Sequence, residues 1–150
     1  MSILIVCAPD EGARAFGREL GALANCRYFP MEEADEAALC GAEAIVLVLP
    51  DYYTHACWQM KSWLSGCIEL LSGKLCSCVT ICSQGGGGEL DMRTIVSQLL
   101  GGQCPVYLCG VLCSDGRIRP GGCAELRGEG LRPEEYIGKL SLAIPAALKK

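Results

Sequence analysis

Short, unbroken apolar runs alternate along this chain with longer stretches whose apolar residues recur every three or four positions. That alternation constrains the fold more than any other feature. Ile3 to Cys7 is a continuous apolar run, the pattern of a strand buried on both faces. Asp10 follows at an N-cap position, and Ala13, Phe16, Leu20 and Leu23 fall on one helical face with Glu11, Arg14, Arg18 and Glu19 off it. Arg27-Tyr28-Phe29 predicts a short second strand closed by Pro30. Residues 32 to 40 predict an acidic helix stopped by Gly41, a glycine just past the helix end. The third strand is expected from Ala44 to Leu49, closed by Pro50-Asp51. The next helix carries Met60, Leu64, Cys67, Ile68 and Leu71 and ends at Gly73. Leu75 to Cys82 predicts a fourth strand, followed by a glycine loop and a helix with Met92, Ile95, Val96, Leu99 and Leu100 that Gly101-Gly102 ends. Pro105 to Cys113 predicts a fifth strand. A polar, glycine-rich stretch from Ser114 to Arg132 precedes a last helix with Ile137, Leu140 and Ile144 on one face, which Pro145 is expected to end or kink.

Strand and helix repeated five times, with crossovers too long for hairpins, imply right-handed βαβ units. The expected architecture is an α/β three-layer sandwich: a five-stranded, mainly parallel sheet with helices on both faces. No repeat, low-complexity tract or linker interrupts it, so residues 1–150 read as a single domain. A chain of this length buries roughly 70% of its unfolded surface.

Charge and composition exclude several classes of partner. The net charge is −4 and no Lys/Arg block is present, which argues against nucleic acid and against a basic membrane-surface helix. The longest apolar runs, Ala44 to Pro50 and Cys104 to Cys113, fall far short of the ~20 residues that cross a bilayer. Met1-Ser2 leads into Ile3 without a basic n-region, so a cytoplasmic location without a membrane is expected. Twelve cysteines would suggest a disulfide scaffold in a secreted protein, but most sit inside apolar runs, where a thiol behaves as a small hydrophobe. Free, structural thiols in a reducing compartment are the expectation. Cys78 and Cys82, like Cys109 and Cys113, are four apart, roughly 13 Å along a strand, too far to share a metal ion. No metal site is predicted. Cys7, Cys82 and Cys113 lie near strand ends, where one of them could be reactive.

In open α/β sheets ligands bind outside the carboxyl ends of the strands, where the strand order reverses. Three loops are expected there: Ala8 to Ala13, Pro50 to Trp58 and Ser83 to Leu90. The second gathers Tyr52, Tyr53, Trp58 and the only histidine, His55, into one strand-to-helix turn, walls suited to a flat ring. The bland readings stand beside this one. The tyrosines could cover the sheet edge, His55 could be an exposed helix-start residue, and Trp58 and Trp63 read more simply as helix-packing residues. The third loop, Ser83-Gln84 followed by four glycines, either admits a ligand to backbone N–H groups or is only a turn.

Pro50-Asp51-Tyr52 after the third strand, the following helix with Lys61 and Trp63-Leu64, Gly73-Lys74 before the fourth strand and Gly86-Gly87-Gly88-Glu89 after it resemble the flavodoxin-like NAD(P)H-dependent FMN reductases. The sharp part of the likeness covers about residues 44–100. It implies a flavodoxin-like FMN-binding oxidoreductase, with a flavin or nicotinamide as small-molecule partner, and allows a homodimer. Carried onto this chain, the family's site would place Pro50, Asp51, Tyr52, Tyr53 and Thr54, with Gln84, Gly85, Gly86, Gly87 and Gly88, around the isoalloxazine ring. Pro9, Asp10, Gly12, Ala13 and Arg14 would take the phosphate. No catalytic side chain is assigned.

The first loop, Ala8-Pro9-Asp10-Glu11-Gly12-Ala13-Arg14, departs from that family's hydroxyl-rich phosphate cradle, having no Ser or Thr. Asp10 and Glu11 would face the phosphate, and at ~5 Å each like-charge pair costs roughly 1–3 kcal/mol. Asp10 as an N-cap would also occupy N–H groups that a phosphate uses. Two other functions therefore stay open. One is a flavodoxin-like domain that has lost FMN binding and acts as a binding or regulatory module. The other is an enzyme acting on a non-phosphorylated small molecule in the same cleft.

Overall fold

The computed structural model describes residues 2–50, 58–81, 88–120 and 130–148. Strands and helices alternate as the apolar runs require: β1 (Ile3–Cys7), α1 (Glu11–Gly21), β2 (Cys26–Pro30), a 3₁₀ turn (Met31–Glu33), α2 (Glu36–Cys40), β3 (Ala44–Pro50), α3 (Trp58–Leu71), β4 (Leu75–Ile81), α4 (Gly88–Gly101), β5 (Gly110–Leu112), β6 (Ile118–Pro120) and α5 (Pro133–Leu148). The sheet runs in the order β2-β1-β3-β4-β5-β6. Its first five strands are parallel neighbours and β6 is antiparallel to β5. The order 2-1-3-4-5, with its reversal between β1 and β3, is that of the flavodoxin-like doubly wound sheet.

Every residue of β1 and β3 is buried, because both faces of these strands carry helices. Successive side chains alternate between two apolar layers. Leu4, Val6, Ile45, Leu47, Cys76 and Cys78 pack with Leu39 of α2, Met60, Leu64 and Leu71 of α3, and Ile95 and Leu99 of α4. Ile3, Ile5, Cys7, Val46, Val48 and Val79 pack on the opposite side with Phe16 and Leu20 of α1 and Tyr136, Ile137, Leu140 and Ile144 of α5. The three-layer α/β sandwich expected from the sequence is therefore present. No helix of the described residues is long and apolar enough to cross a membrane.

The sheet has six strands rather than five. The polar, glycine-rich stretch from Ser114 to Arg132, to which no strand was assigned, contains β6, whose Ile118 is fully buried. Asp115-Gly116 forms the turn that brings it back. Gly116 has φ +79°, Asp115 accepts the Arg117 N–H at 3.1 Å, and the Arg119 guanidinium grips the Asp115 carboxylate at 2.7 and 3.1 Å. Gly110 on β5 permits the close approach, since a Cβ there would lie 2.8 Å from the Arg119 carbonyl oxygen.

The fifth strand is also shorter than Pro105 to Cys113. Val106 makes an isolated bridge to Cys76, then Leu108 adopts φ +59°, a left-handed conformation that breaks the ladder until Gly110.

Three further expectations are corrected. Residues 32 to 40 are not one helix, because Asp35 caps a new one by accepting the Ala38 N–H at 2.8 Å. Gly41 has φ −76°, so it does not end that helix by a left-handed turn, whereas Gly73 at φ +78° does so after α3. Pro145 does not end α5, which continues to Leu148 with Ile144 and Ala147 packed on the sheet on either side of it.

Candidate functional site

β1, β3 and β4 end side by side. Cys7 pairs with Val48, Pro50 pairs with Ile81, and the Ala8 N–H donates to the Val48 carbonyl at 3.0 Å. Pro9 then turns the chain tightly, so that the Asp10 N–H donates back to the Ala8 carbonyl at 2.7 Å, an i to i+2 bond that the fixed φ of proline favours. Asp10 is extended (φ −138°, ψ 138°) and caps α1: its Oδ2 accepts the Ala13 N–H at 2.9 Å and its carbonyl accepts the Arg14 N–H at 2.9 Å. Gly12 sits over this carboxylate, and a Cβ there would come within 3.3 Å of Asp10 Oδ2.

Asp10, Arg14 and Arg18, spaced four apart, follow one face of α1 and line an open hollow of about 320 Å³ with Pro9 and Glu11. Arg14 is held by an ion pair and Arg18 lies against an aromatic ring. Arg14 Nη2 is ion-paired with Glu32 Oε1, and Arg14 Nε is buried without a hydrogen-bond partner among the described residues. The Arg18 guanidinium lies 5.7 Å from the centre of the Tyr28 ring. With Glu32, three carboxylates meet two guanidinium groups. Behind the hollow, Cys7 Sγ lies against α1 where only glycine fits: a Cβ on Gly17 would be 2.0 Å from that sulfur. Burial pushes the Cys7 thiol up to about 12 against the pull of Arg14 and Arg18, so it is not a nucleophile at neutral pH.

The structure brings Pro9, Asp10, Gly12, Ala13 and Arg14 together at the end of β1, with Pro50 closing the adjacent β3. Asp51, Tyr52, Tyr53, Thr54, Gln84, Gly85, Gly86 and Gly87 lie outside the described residues. Gly88 is not part of the glycine turn: it opens α4. Trp58 is not a packing residue, being 70% exposed in the first turn of α3, whereas Trp63 packs on the core. Lys74 belongs to the opposite edge of the sheet, where its ammonium donates to the Cys40 and Ala42 carbonyls at 3.1 and 2.7 Å and ties β4 to the turn before β3. The nine cysteines among the described residues are free.

Thr80 went unnoticed in the sequence. It stands one residue before the end of β4, fully buried on the α3/α4 side beside Leu49, and its Oγ1 has no hydrogen-bond partner among the described residues. Such an orphan costs about 1–3 kcal/mol. The available signal was a hydroxyl in an otherwise apolar stretch of strand, Val79-Thr80-Ile81. Glu32 was passed over as one of several acidic residues, and only the fold shows it as the Arg14 counter-charge.

No family model and no curated protein matches the chain. Solved structures do. A two-electron reduced flavodoxin of Megasphaera elsdenii superposes with a TM-score of 0.66 at 15% identity, covering 99% of both chains. An NADPH-quinone reductase of P. pentosaceus gives 0.55 at 18%, covering 100% of this chain and 99% of that one. A Fusobacterium nucleatum flavodoxin bound to flavin mononucleotide gives 0.56 at 16%, covering 98% and 94%. At these identities the likeness establishes the flavodoxin-like fold.

Proposed function

We propose that this chain, acting as a single domain over residues 1–150, is a flavodoxin-type oxidoreductase. Its carboxyl edge, between the ends of β1, β3 and β4, would take a flavin, with FMN the cofactor implied by the resemblance and NAD(P)H the electron donor. The observation that carries this reading is the reversal of strand order between β1 and β3, because ligands of such sheets bind there. The neighbours support the chemistry: one is bound to flavin mononucleotide and another is an NADPH-quinone reductase. A flavin supplies hydride chemistry when bound, and the protein's part is to hold and orient it. Thr80, a fully buried hydroxyl near the end of β4 without a hydrogen-bond partner among the described residues, stands close to the same edge. A cytoplasmic setting belongs to the same reading, supported by the free thiols. So does a homodimer, which sedimentation of the purified protein tests.

The phosphate end of FMN does not fit the residues present. The Asp10 carboxylate already holds the Ala13 N–H and the Arg14 guanidinium holds Glu32. This observation favours a second reading, a flavodoxin-like module without cofactor that binds or regulates. The visible absorption spectrum of the purified protein, before and after incubation with flavins, separates the two. Flavin bands together with flavin-dependent NADPH oxidation support the oxidoreductase. A colourless protein that takes up no flavin leaves the module.

A further inference from the structure

We infer, resting on the flavin reading above, that this site selects a flavin without a phosphate: the loop after β1 rejects a phosphate dianion and accepts a neutral polyol chain, so riboflavin rather than FMN is its ligand form. A phosphate bound at a helix start needs free N–H groups and positive potential. Here Pro9 has no N–H, and the N–H groups of Asp10, Ala13 and Arg14 are committed to Ala8 O, Asp10 Oδ2 and Asp10 O. Within this loop that leaves the Glu11 and Gly12 N–H groups, and Gly12 lies directly over the Asp10 carboxylate. The charges point the same way. Asp10 and Glu11 line the hollow with Arg14 and Arg18, and Glu32, paired to Arg14, brings the carboxylates there to three against two guanidinium groups.

What repels a phosphate suits hydroxyl groups. Carboxylates are acceptors only, and O–H donors of a sugar-alcohol chain make short, charge-assisted bonds to them. Asp10 and Glu11 thus offer a ribityl chain the complement they deny to a phosphate.

Titration of the full chain with riboflavin and with FMN, followed by quenching of flavin fluorescence, tests this in wild type and in the Asp10→Ser/Glu11→Gln variant. Serine keeps a cap on α1, so the variant folds. In wild type riboflavin binds at least about tenfold more tightly than FMN, equivalent to about 1.4 kcal/mol. The gap narrows as salt screens the repulsion and closes in the variant through tighter FMN binding. FMN binding as tightly as riboflavin in wild type overturns the inference while leaving the flavin reading intact. A gap that persists unchanged in the variant overturns the assignment to Asp10 and Glu11. Failure of both ligands to bind removes the flavin reading itself, and the inference with it.

Discussion

The Tyr136 hydroxyl lies 2.5 Å from Ser77 Oγ, in a contact that joins α5 to the centre of β4 through the core. Ser77 Oγ–H is donated to the Leu108 carbonyl at 3.2 Å, so Tyr136 donates to Ser77 and both buried hydroxyls are satisfied. The chain ends on the residue whose left-handed conformation interrupts the fifth strand, so one serine holds a helix and a strand break together.

Truncating the two ends of this contact has unequal effects. Tyr136→Phe removes one donor and leaves Ser77 bonded to Leu108, a loss of about 1 kcal/mol. Ser77→Ala strands the Tyr136 hydroxyl in a fully buried place and costs more, about 1–3 kcal/mol. The double variant loses less than the sum of the two, because both changes remove the same bond. Urea unfolding of the three variants measures all of these differences. Equal losses for the two single variants would contradict the direction of donation.

Gly17→Ala is expected to be among the more damaging small changes in α1, on its buried face. The new Cβ would meet Cys7 Sγ at 2.0 Å and the Tyr28 ring at 3.0 Å, and overpacking of this kind costs about 1–3 kcal/mol. Shortening the obstructing side chain, in a Cys7→Ala/Gly17→Ala double variant, recovers part of the loss in the same unfolding measurement.

Alkaline pH is expected to weaken the fold through its thiols. Burial raises Cys7 from 9.0 to about 12 and Cys67 from 9.0 to about 11, so both stay protonated in the folded state where the unfolded chain would release them. Their stabilising contribution is complete below pH 9 and is lost as pH rises from there toward the folded values. Urea midpoints measured at increasing pH fall over this window. Cys7→Ala falls less steeply, whatever its starting stability.

Thr80→Val is nearly isosteric and removes a hydroxyl that has no partner among the described residues. The ligand-free protein therefore keeps its stability or gains about 1 kcal/mol, because a buried unsatisfied group is removed. Flavin affinity moves the opposite way, by severalfold, if Oγ1 bonds the ring. Thermal melts and flavin titrations on one variant read both quantities, and unchanged affinity would detach Thr80 from the site.

The layering of this fold was legible because β1 and β3 are apolar at every position and α1 carries its apolar stripe under a clear N-cap. The places that escaped were those where tertiary contacts decide. A lone Ile118 in a polar stretch gave no strand period, although Asp115-Gly116 carried a hairpin signal. The break at Leu108 comes from a leucine in a conformation that its residue type disfavours, so no propensity announces it. At the site, the absence of Ser and Thr in the first loop was visible in the letters, as was Asp10 capping α1. The Arg14–Glu32 ion pair was not, because it links two segments that only the pairing of β1 with β2 brings together.

The short hairpin after β5 also bears on what this protein does in a crowded solution. A parallel sheet ending in a three-residue strand would present a row of unpaired backbone groups, an invitation for a second molecule to add its own strand. β6 covers that row, and the Ile118 and Leu131 backbones bond to each other in turn at 2.7 and 2.8 Å, so the cover has its own outer seal. The other border, β2, carries exposed Arg27 and closes on Pro30, a charge and a missing donor that discourage annealing. Residues that contribute nothing to a ligand can thus decide whether the molecule resists self-association.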